Sequence, residues 1–156
     1  MLLLAQLACS SSTGPEAPGF YEYTITTNGQ SHTVTGTDAA FWTYYPIYGQ
    51  TTNLGVYFFV GAITALQIEP DNALPPTGTY QVAGGGGGTI ISVSIVGDAL
   101  GALDVDSSST MTLSTVDDNR IAGTFTIVLD QTTPYNTGAV LKGRFNAART
   151  NSFRSN

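Results

Sequence analysis

Residues 21–34 read YEYTITTNGQSHTV, two runs of alternating polar and apolar residues joined by Asn28-Gly29. Asn-Gly predicts a two-residue hairpin turn, because both residues tolerate the positive φ angles that this turn requires. A turn of this length fixes the register, so Ile25 should lie opposite His32, and Tyr23 opposite Val34. We expect these strands to share one inward-facing set of side chains, composed of Tyr21, Tyr23, Ile25, His32 and Val34.

The rest of the chain repeats this alternation and has no window with a sustained helical period. Short alternating runs bounded by Gly, Pro, Asn and Asp are typical of strands in an antiparallel sheet. Further strands are predicted at residues 40–45, 54–60, 65–68, 79–82, 89–96, 110–116, 121–129 and 140–147. About ten short strands predict an all-β fold, either an antiparallel β-sandwich or a squat β-barrel.

The last predicted strands show the clearest separation into an inner and an outer face. Residues 117–120, DDNR, have the composition of a hairpin turn before the first of them. The large apolar side chains of this region are expected to face inward, namely Met111, Leu113, Ile121, Phe125, Ile127, Leu129, Leu141 and Phe145. The outer face of the last strand is expected to carry Lys142, Arg144 and Asn146.

At residues 1–20 the sequence reads MLLLAQLACSSSTGPEAPGF, an apolar run that leads to Cys9 and a polar tether. This arrangement resembles the processing site of bacterial lipoproteins, which are cut before a cysteine whose sulfur then carries a diacylglycerol. The resemblance implies a signal peptide at residues 1–8, lipidation of Cys9 and a flexible tether at residues 9–19. It also implies a membrane partner through the lipid anchor, in the bacterial cell envelope, at the outer membrane or the cell surface.

Two features of this leader depart from the lipoprotein pattern. Gln6 stands where leucine is usual, and no Lys or Arg precedes Cys9, although export signals normally begin with a basic region. We therefore expect translation to begin upstream, so that residues 1–8 are a truncated signal. The alternative is a signal that is cut elsewhere, with Cys9 incidental.

Length and composition favour one exported domain. Only 10% of the 156 residues are charged, so Thr, Ser, Asn, Gln and Gly must keep the surface soluble. The single cysteine cannot form a disulfide within the chain. We place one β domain at residues 20–148 and a flexible tail at residues 149–156. No run approaches the roughly 20 apolar residues of a transmembrane helix.

The net charge of −6 is unevenly distributed, because all basic residues lie in the last quarter of the chain. These residues are Arg120, Lys142, Arg144, Arg149 and Arg154. An acidic chain lacks the basic stripe of nucleic-acid binders, so no nucleic-acid partner is expected. The simpler interpretation of the basic cluster is a solvated strand face and tail. The alternative is a basic edge that docks on an anionic partner or on the acidic body of another copy.

The β segment also resembles small bacterial lipoprotein domains of unknown function. The resemblance rests on the Asn28-Gly29 hairpin, the Gly78-Thr79-Tyr80 strand start, and Gly-x-Phe strands at residues 123–125 and 143–145. It spans residues 21–147 and departs at His32, where these domains often have an aromatic residue. The resemblance implies an exported all-β domain and no particular activity.

The inventory of reactive side chains predicts no enzymatic activity. His32 is the only histidine, and its place opposite Ile25 favours a hydrogen-bonded structural role. A metal site with two imidazole ligands, or one with two thiolate ligands, cannot form within one chain, because the chain has one histidine and one cysteine. Asp104 and Asp106 could offer oxygens to Ca²⁺, but a calcium loop needs more ligands, so two exposed acids are the simpler interpretation. No cofactor and no metal are expected.

Aromatic residues are concentrated at residues 41–48, FWTYYPIY. Neighbouring side chains on a strand point to opposite faces, so if Phe41 and Tyr45 face inward, Trp42 and Tyr44 face outward, or the reverse. An exposed aromatic patch marks an interaction site, whereas core packing under a covering loop is the alternative. The candidate ligand-binding residues are Trp42, Tyr44, Tyr45 and Tyr48.

Two hypotheses about function follow from these patterns. The first is an exported, lipid-anchored cell-envelope protein with a non-catalytic structural or interaction role and a protein or glycan partner. The alternative is a binding module for a carbohydrate or a small apolar ligand that uses the aromatic patch.

Overall fold

A computed structural model describes residues 17–44, 54–61, 63–69, 73–81, 90–95, 106–129 and 138–150. The strands are β1 (Tyr21–Thr27), β2 (Gln30–Gly36), β3 (Ala40–Tyr44), β4 (Leu54–Val60), β5 (Ile63–Glu69), β6 (Gly78–Gln81), β7 (Ile90–Ile95), β8 (Thr110–Val116), β9 (Arg120–Val128) and β10 (Val140–Arg149). The described residues contain no helix. The predicted all-β fold is therefore confirmed, and the choice between a sandwich and a barrel stays a prediction.

The first hairpin has the turn and the register that its sequence predicts. Asn28 and Gly29 adopt positive φ angles of 52° and 76°. The register pairs Ile25 with His32 and continues from Thr27–Gln30 to the far ends of both strands. The local chemistry of two turn residues therefore fixes every cross-strand neighbour in this hairpin.

Two strands that are paired along both of their edges, β5 and β10, are longer than predicted. β5 covers residues 63–69 rather than 65–68, because β4 and β7 both pair with it. β10 continues to Arg149, whose backbone N–H donates to the Asn119 carbonyl at 2.9 Å. Pairing with neighbours extends a strand beyond the residues whose alternation predicts it.

The strands belong to one sheet that branches at β10. On one side β10 pairs with β9, and the sheet continues to β8 and β6. On its other side, the first part of β10 pairs with β1, which is followed by β2. The last two residues of β10 pair in parallel with the start of β3, and β4, β5 and β7 follow. β10 therefore connects two branches of the sheet. One branch runs from β6 through β8, β9, β10 and β1 to β2, and the other runs from β10 through β3, β4 and β5 to β7.

The change of partner along β10 occurs at Asn146. The Gly19 N–H donates to the Asn146 carbonyl at 2.6 Å, and the Asn146 N–H donates to the Phe20 carbonyl at 2.8 Å. Two residues later, the Ala148 N–H donates to the Ala39 carbonyl at 3.1 Å. Asn146 is only 3% exposed, so the prediction that it faces solvent is wrong. Its burial follows from this position, where the chain before β1 lies against β10.

One face of the sheet carries the hydrophobic core. All large apolar residues predicted to face inward in β8, β9 and β10 are buried, and Tyr21 and Tyr23 of β1 join them. Phe41 of β3 and Val56 and Val60 of β4 extend the same core beyond β10. Ile25 and Val34 are only partly buried and pack at its margin.

Two glycines of the core face make room for tyrosine side chains. A Cβ added to Gly36 would lie 2.3 Å from the ring of Tyr21, and one added to Gly143 would lie 2.3 Å from the Cβ of Tyr23. The two tyrosine rings stack on each other, with their centroids 5.9 Å apart. The ring of Tyr21 thus covers Gly36, and the start of the Tyr23 side chain covers Gly143, so that each tyrosine occupies a strand position that has no side chain of its own.

Candidate functional site

His32 lies on the face that the hairpin register predicts, but its side chain is exposed. The predicted inward position is therefore wrong, because β2 has no described strand beyond it to continue the core. His32 instead lines an open cavity of about 350 Å³ at the tip of the hairpin, together with Ile25, Thr27, Asn28, Gln30 and Ser31.

Two of the described acidic residues, Asp106 and Asp117, accept backbone hydrogen bonds within turns. The Ser108 N–H donates to Asp106 Oδ1 at 2.7 Å, and the Asn119 N–H donates to Asp117 Oδ1 at 2.9 Å. Hydrogen bonds from the side chain and the backbone of Ser108 lower the pKa of Asp106. Asp104 lies outside the described residues, within which no group of three acidic, histidine or cysteine side chains could hold a metal ion. The predicted turn at residues 117–120 is confirmed.

The aromatic candidate is partly described. Phe41 is fully buried in the core, so Trp42, the next residue of β3, lies on the opposite face. The Trp42 ring stacks on that of Phe59 with a centroid distance of 4.7 Å and an interplanar angle of 22°, and both are half-buried. Tyr44 ends β3, and Tyr45 and Tyr48 lie outside the described residues. The described part of this site, Trp42 and Phe59, is called the aromatic pair below.

The described arginines lie near acidic residues of the same domain. Arg144 Nη2 lies 3.4 Å from Glu22, Arg120 Nε lies 3.8 Å from Asp117, and Arg149 Nη1 lies 3.8 Å from Asp118. Arg149 also donates to Thr43 Oγ1 and to the Asp118 carbonyl, both at 2.9 Å. These contacts favour the simpler interpretation of the basic cluster, a solvated strand face with local partners.

The outer face of six neighbouring strands carries rows of threonine. Cross-strand pairing connects β6, β8, β9, β10, β1 and β2 into two continuous rows. The first row is Thr79, Thr112, Thr124, Arg144, Glu22 and Thr35, and the second row is Gln81, Thr110, Thr126, Lys142, Thr24 and Thr33. All of these side chains are exposed or half-buried. We call this surface the threonine face.

Hydroxyl groups on the threonine face bond directly to one another between strands. Thr79 Oγ1 and Thr112 Oγ1 lie 2.9 Å apart, and Thr24 Oγ1 and Thr33 Oγ1 lie 3.3 Å apart. Sequence reasoning missed this surface, although threonine recurs at alternate positions in β1, β2, β8 and β9. That recurrence is the signal that could have indicated a hydroxyl-rich face.

Comparison with known proteins adds no relative to this description. No family model, no curated protein and no solved structure matches the chain. Cys9 lies outside the described residues, among which no helix has the length and the apolar character needed to cross a membrane.

Proposed function

We propose that this protein is exported, lipid-anchored through Cys9 in the bacterial cell envelope, and active by non-catalytic contact with a partner protein or glycan. The leader supports the anchor, since an apolar run ends at the chain's only cysteine and a Ser/Gly/Pro tether follows. The single observation that carries the contact role is the threonine face, whose two rows cross six strands.

The threonine face suits contact with a polar partner. Threonine is branched at Cβ, so its χ1 angle is restricted and little conformational freedom is lost when a partner binds. Each hydroxyl can both donate and accept a hydrogen bond. Ten of the eleven acidic residues precede Arg120 in the sequence, and among the acids only Glu22 lies in the two rows, beside Arg144. A hydroxyl-rich surface, with two basic side chains and one acidic side chain in its rows, therefore faces outward on an acidic protein.

Binding to isolated cell envelopes tests the contact role. The full chain with Cys9→Ser lacks the lipid and should bind saturably through the domain alone. Replacing Thr112 and Thr124 together by Val keeps strand propensity, removes two hydroxyls of one row and should weaken binding about tenfold. The matched control replaces Thr37 and Thr77, two exposed threonines outside the strands, by Val. Equal binding by the two double variants would contradict the proposed surface.

Lipid labelling tests the anchor separately. When the protein is expressed behind a complete export signal, radiolabelled palmitate should enter the wild type and be absent from Cys9→Ser. Replacement of the neighbouring Ser10 by Ala is the control and should leave labelling unchanged. Palmitate in the Cys9→Ser protein, or unlabelled wild type released as soluble protein, would contradict lipidation at this residue.

The aromatic pair favours a second candidate function, the binding of a carbohydrate or a small apolar ligand. Trp42 and Phe59 present a stacked, half-buried surface on the face opposite to the core. Flat aromatic rings bury a large apolar area and lose little conformational freedom on binding. The aromatic pair thus offers a rigid platform for the apolar face of a sugar ring.

The single tryptophan makes this candidate easy to test. Trp42 is the chain's only tryptophan, so its fluorescence reports on this site alone during titration with oligosaccharides. A glycan array should show saturable binding by wild type, retention in Trp42→Phe, which keeps a flat ring, and loss in Trp42→Ala. Binding that survives Trp42→Ala would assign the glycan to another surface.

A further inference from the structure

Among the described strands, β2 lies at an edge of the sheet and lacks four features that normally prevent edge pairing. Within the described residues it pairs only with β1, and the chain on both sides of it is described. It has seven residues, a regular register, no proline and no charged side chain. The other described edge of this branch, β6, has four residues and follows Pro75 and Pro76. Edge strands are usually protected by shortness, proline, charge or a bulge, and β2 lacks all four.

The hairpin turn determines which backbone groups of β2 point to the free edge. The turn joins Thr27 and Gln30, which form a hydrogen-bonded pair. Hydrogen-bonded and non-hydrogen-bonded pairs alternate in antiparallel strands, so the even-numbered residues of β2 bond to β1. Ser31, Thr33 and Thr35 therefore direct both their N–H and C=O groups away from β1.

We propose that two copies of this chain pair through β2 in antiparallel orientation, around a two-fold axis at Thr33. In this register Thr33 lies opposite Thr33 of the second copy, and Ser31 lies opposite Thr35. Each of these pairs exchanges two backbone hydrogen bonds, so every outward-pointing group of the strand finds a partner. A strand that is complementary to itself about one residue forms an isologous interface, which closes at the dimer.

Side chains on the outer face fit this pairing. Within one chain, Thr24 and Thr33 place their hydroxyls 3.3 Å apart, and Thr26 and Ser31 place theirs 3.0 Å apart. The dimer adds Thr–Thr and Ser–Thr neighbours of the same kind across the new strand pair. The threonine face then continues from one copy to the next.

Side chains on the core face and the charges also fit. His32 of one copy lies opposite Val34 of the other copy. The imidazole thereby covers Val34, which is half-buried at the margin of the core. No charged residue lies within β2. Two residues beyond the ends of β2, the same register places Asp38 of one copy beside the neutral turn residue Asn28 of the other copy. No like charges therefore face each other across the two strands.

Sedimentation equilibrium of the full chain tests the dimer, with Cys9→Ser present so that neither lipid nor an intermolecular disulfide contributes. The apparent mass should rise with concentration toward twice that of one chain. Thr33→Lys places two like charges opposite each other at the axis and should raise the dimer dissociation constant at least about tenfold. Thr79→Lys is the matched control on edge strand β6, because Thr79 also shares a cross-strand hydroxyl bond and is exposed. Its dissociation constant should equal that of the parent chain.

Amide hydrogen exchange identifies the strand without any variant at the axis. The amides of Ser31, Thr33 and Thr35 should gain protection as concentration rises, whereas the even-numbered amides of β2 should be protected at all concentrations. A mass that stays monomeric at every concentration would overturn the proposal. So would equal weakening by Thr33→Lys and Thr79→Lys, or a dimer in which the three odd-numbered amides exchange as they do in the monomer.

Discussion

The β9–β10 pair and the β1–β2 hairpin lie in the same sheet and share one core face, but they are buried to different depths. One cross-strand row runs through Ile127, Leu141, Ile25 and His32. Along that row, Ile127 and Leu141 are almost fully buried, Ile25 is half-buried and His32 is exposed. The alternation of side chains assigns each residue to a face, whereas the distance of its strand from the edge of the sheet sets its depth.

The largest expected difference between these regions comes from two isoleucines in that row. Ile127→Ala in β9 should cost about 3–4 kcal/mol of unfolding free energy, because the cavity it leaves is enclosed by core side chains. Ile25→Ala in β1 should cost roughly 1–2 kcal/mol, because this side chain is already partly solvated. Urea denaturation monitored by circular dichroism measures both. Equal losses would mean that Ile25 is as deeply buried as Ile127 in solution.

The next largest difference is expected at the two glycines under the tyrosines. A Cβ at Gly143 would lie 2.3 Å from the Cβ of Tyr23 and 2.5 Å from the backbone oxygen of Glu22, which cannot move without displacing β1. At Gly36 the close atoms belong to the far end of the Tyr21 ring. Gly143→Ala should therefore cost about 3 kcal/mol and Gly36→Ala about 1 kcal/mol in the same denaturation experiment. A larger loss of unfolding free energy for Gly36→Ala would show that the edge strand β2 adapts less easily than β10 to an added side chain.

A smaller difference is expected between two serines. Ser109 is fully buried, and its Oγ accepts the Val128 N–H at 2.9 Å and donates to the Val128 carbonyl at 3.3 Å. Ser109→Ala removes both bonds and should cost about 2 kcal/mol. Ser31→Ala in β2 removes one exposed hydroxyl contact and should change stability by less than about 0.5 kcal/mol at concentrations where the chain is monomeric. Thermal or urea unfolding that ranks the two variants in the opposite order would contradict the difference in depth.

Local chemistry in the sequence is sufficient to predict the strands, the turns and most inner faces. Asn28-Gly29 fixes a register through its φ angles, and the alternation in β9 and β10 places Phe125 and Phe145 in the core. The branch at β10 was not predictable in this way, because it depends on pairing between Ala148 and Ala40, which are distant in sequence. The burial of Asn146 and the exposure of His32 depend on that same long-range arrangement.

The candidate surfaces were predictable to a different extent. The alternation rule placed Trp42 and Phe41 on opposite faces, and the structure then identified Phe59 as the stacking partner of Trp42. The threonine face required the registers of six strands, whereas a short turn fixes the register only between two neighbouring strands. A surface that spans many strands is therefore assembled by tertiary pairing, even though each threonine is visible in the sequence.

The smallest expected effect concerns the covered end of the β1–β2 hairpin, where Tyr21 packs. Burial raises the pKa of Tyr21 above its ordinary value of 10.0, and the negative charge of Asp38 and a hydrogen bond to it act in the same direction. Because the folded state favours the neutral phenol, this stabilisation is fully present below pH 10.0 and is lost as the pH rises through the raised pKa.

Comparison of wild type with Tyr21→Phe isolates this contribution. At pH 7 the variant should lose about 1 kcal/mol, the contribution of one hydrogen bond. Urea denaturation at intervals from about pH 8 to 11 should show the difference between the proteins shrinking above pH 10, because only the wild type must keep this buried phenol neutral. A difference that stays constant across this range would mean that Tyr21 is as accessible as Ile25. The core-facing side chains of the hairpin would then be accessible to solvent along its whole length rather than only near the turn.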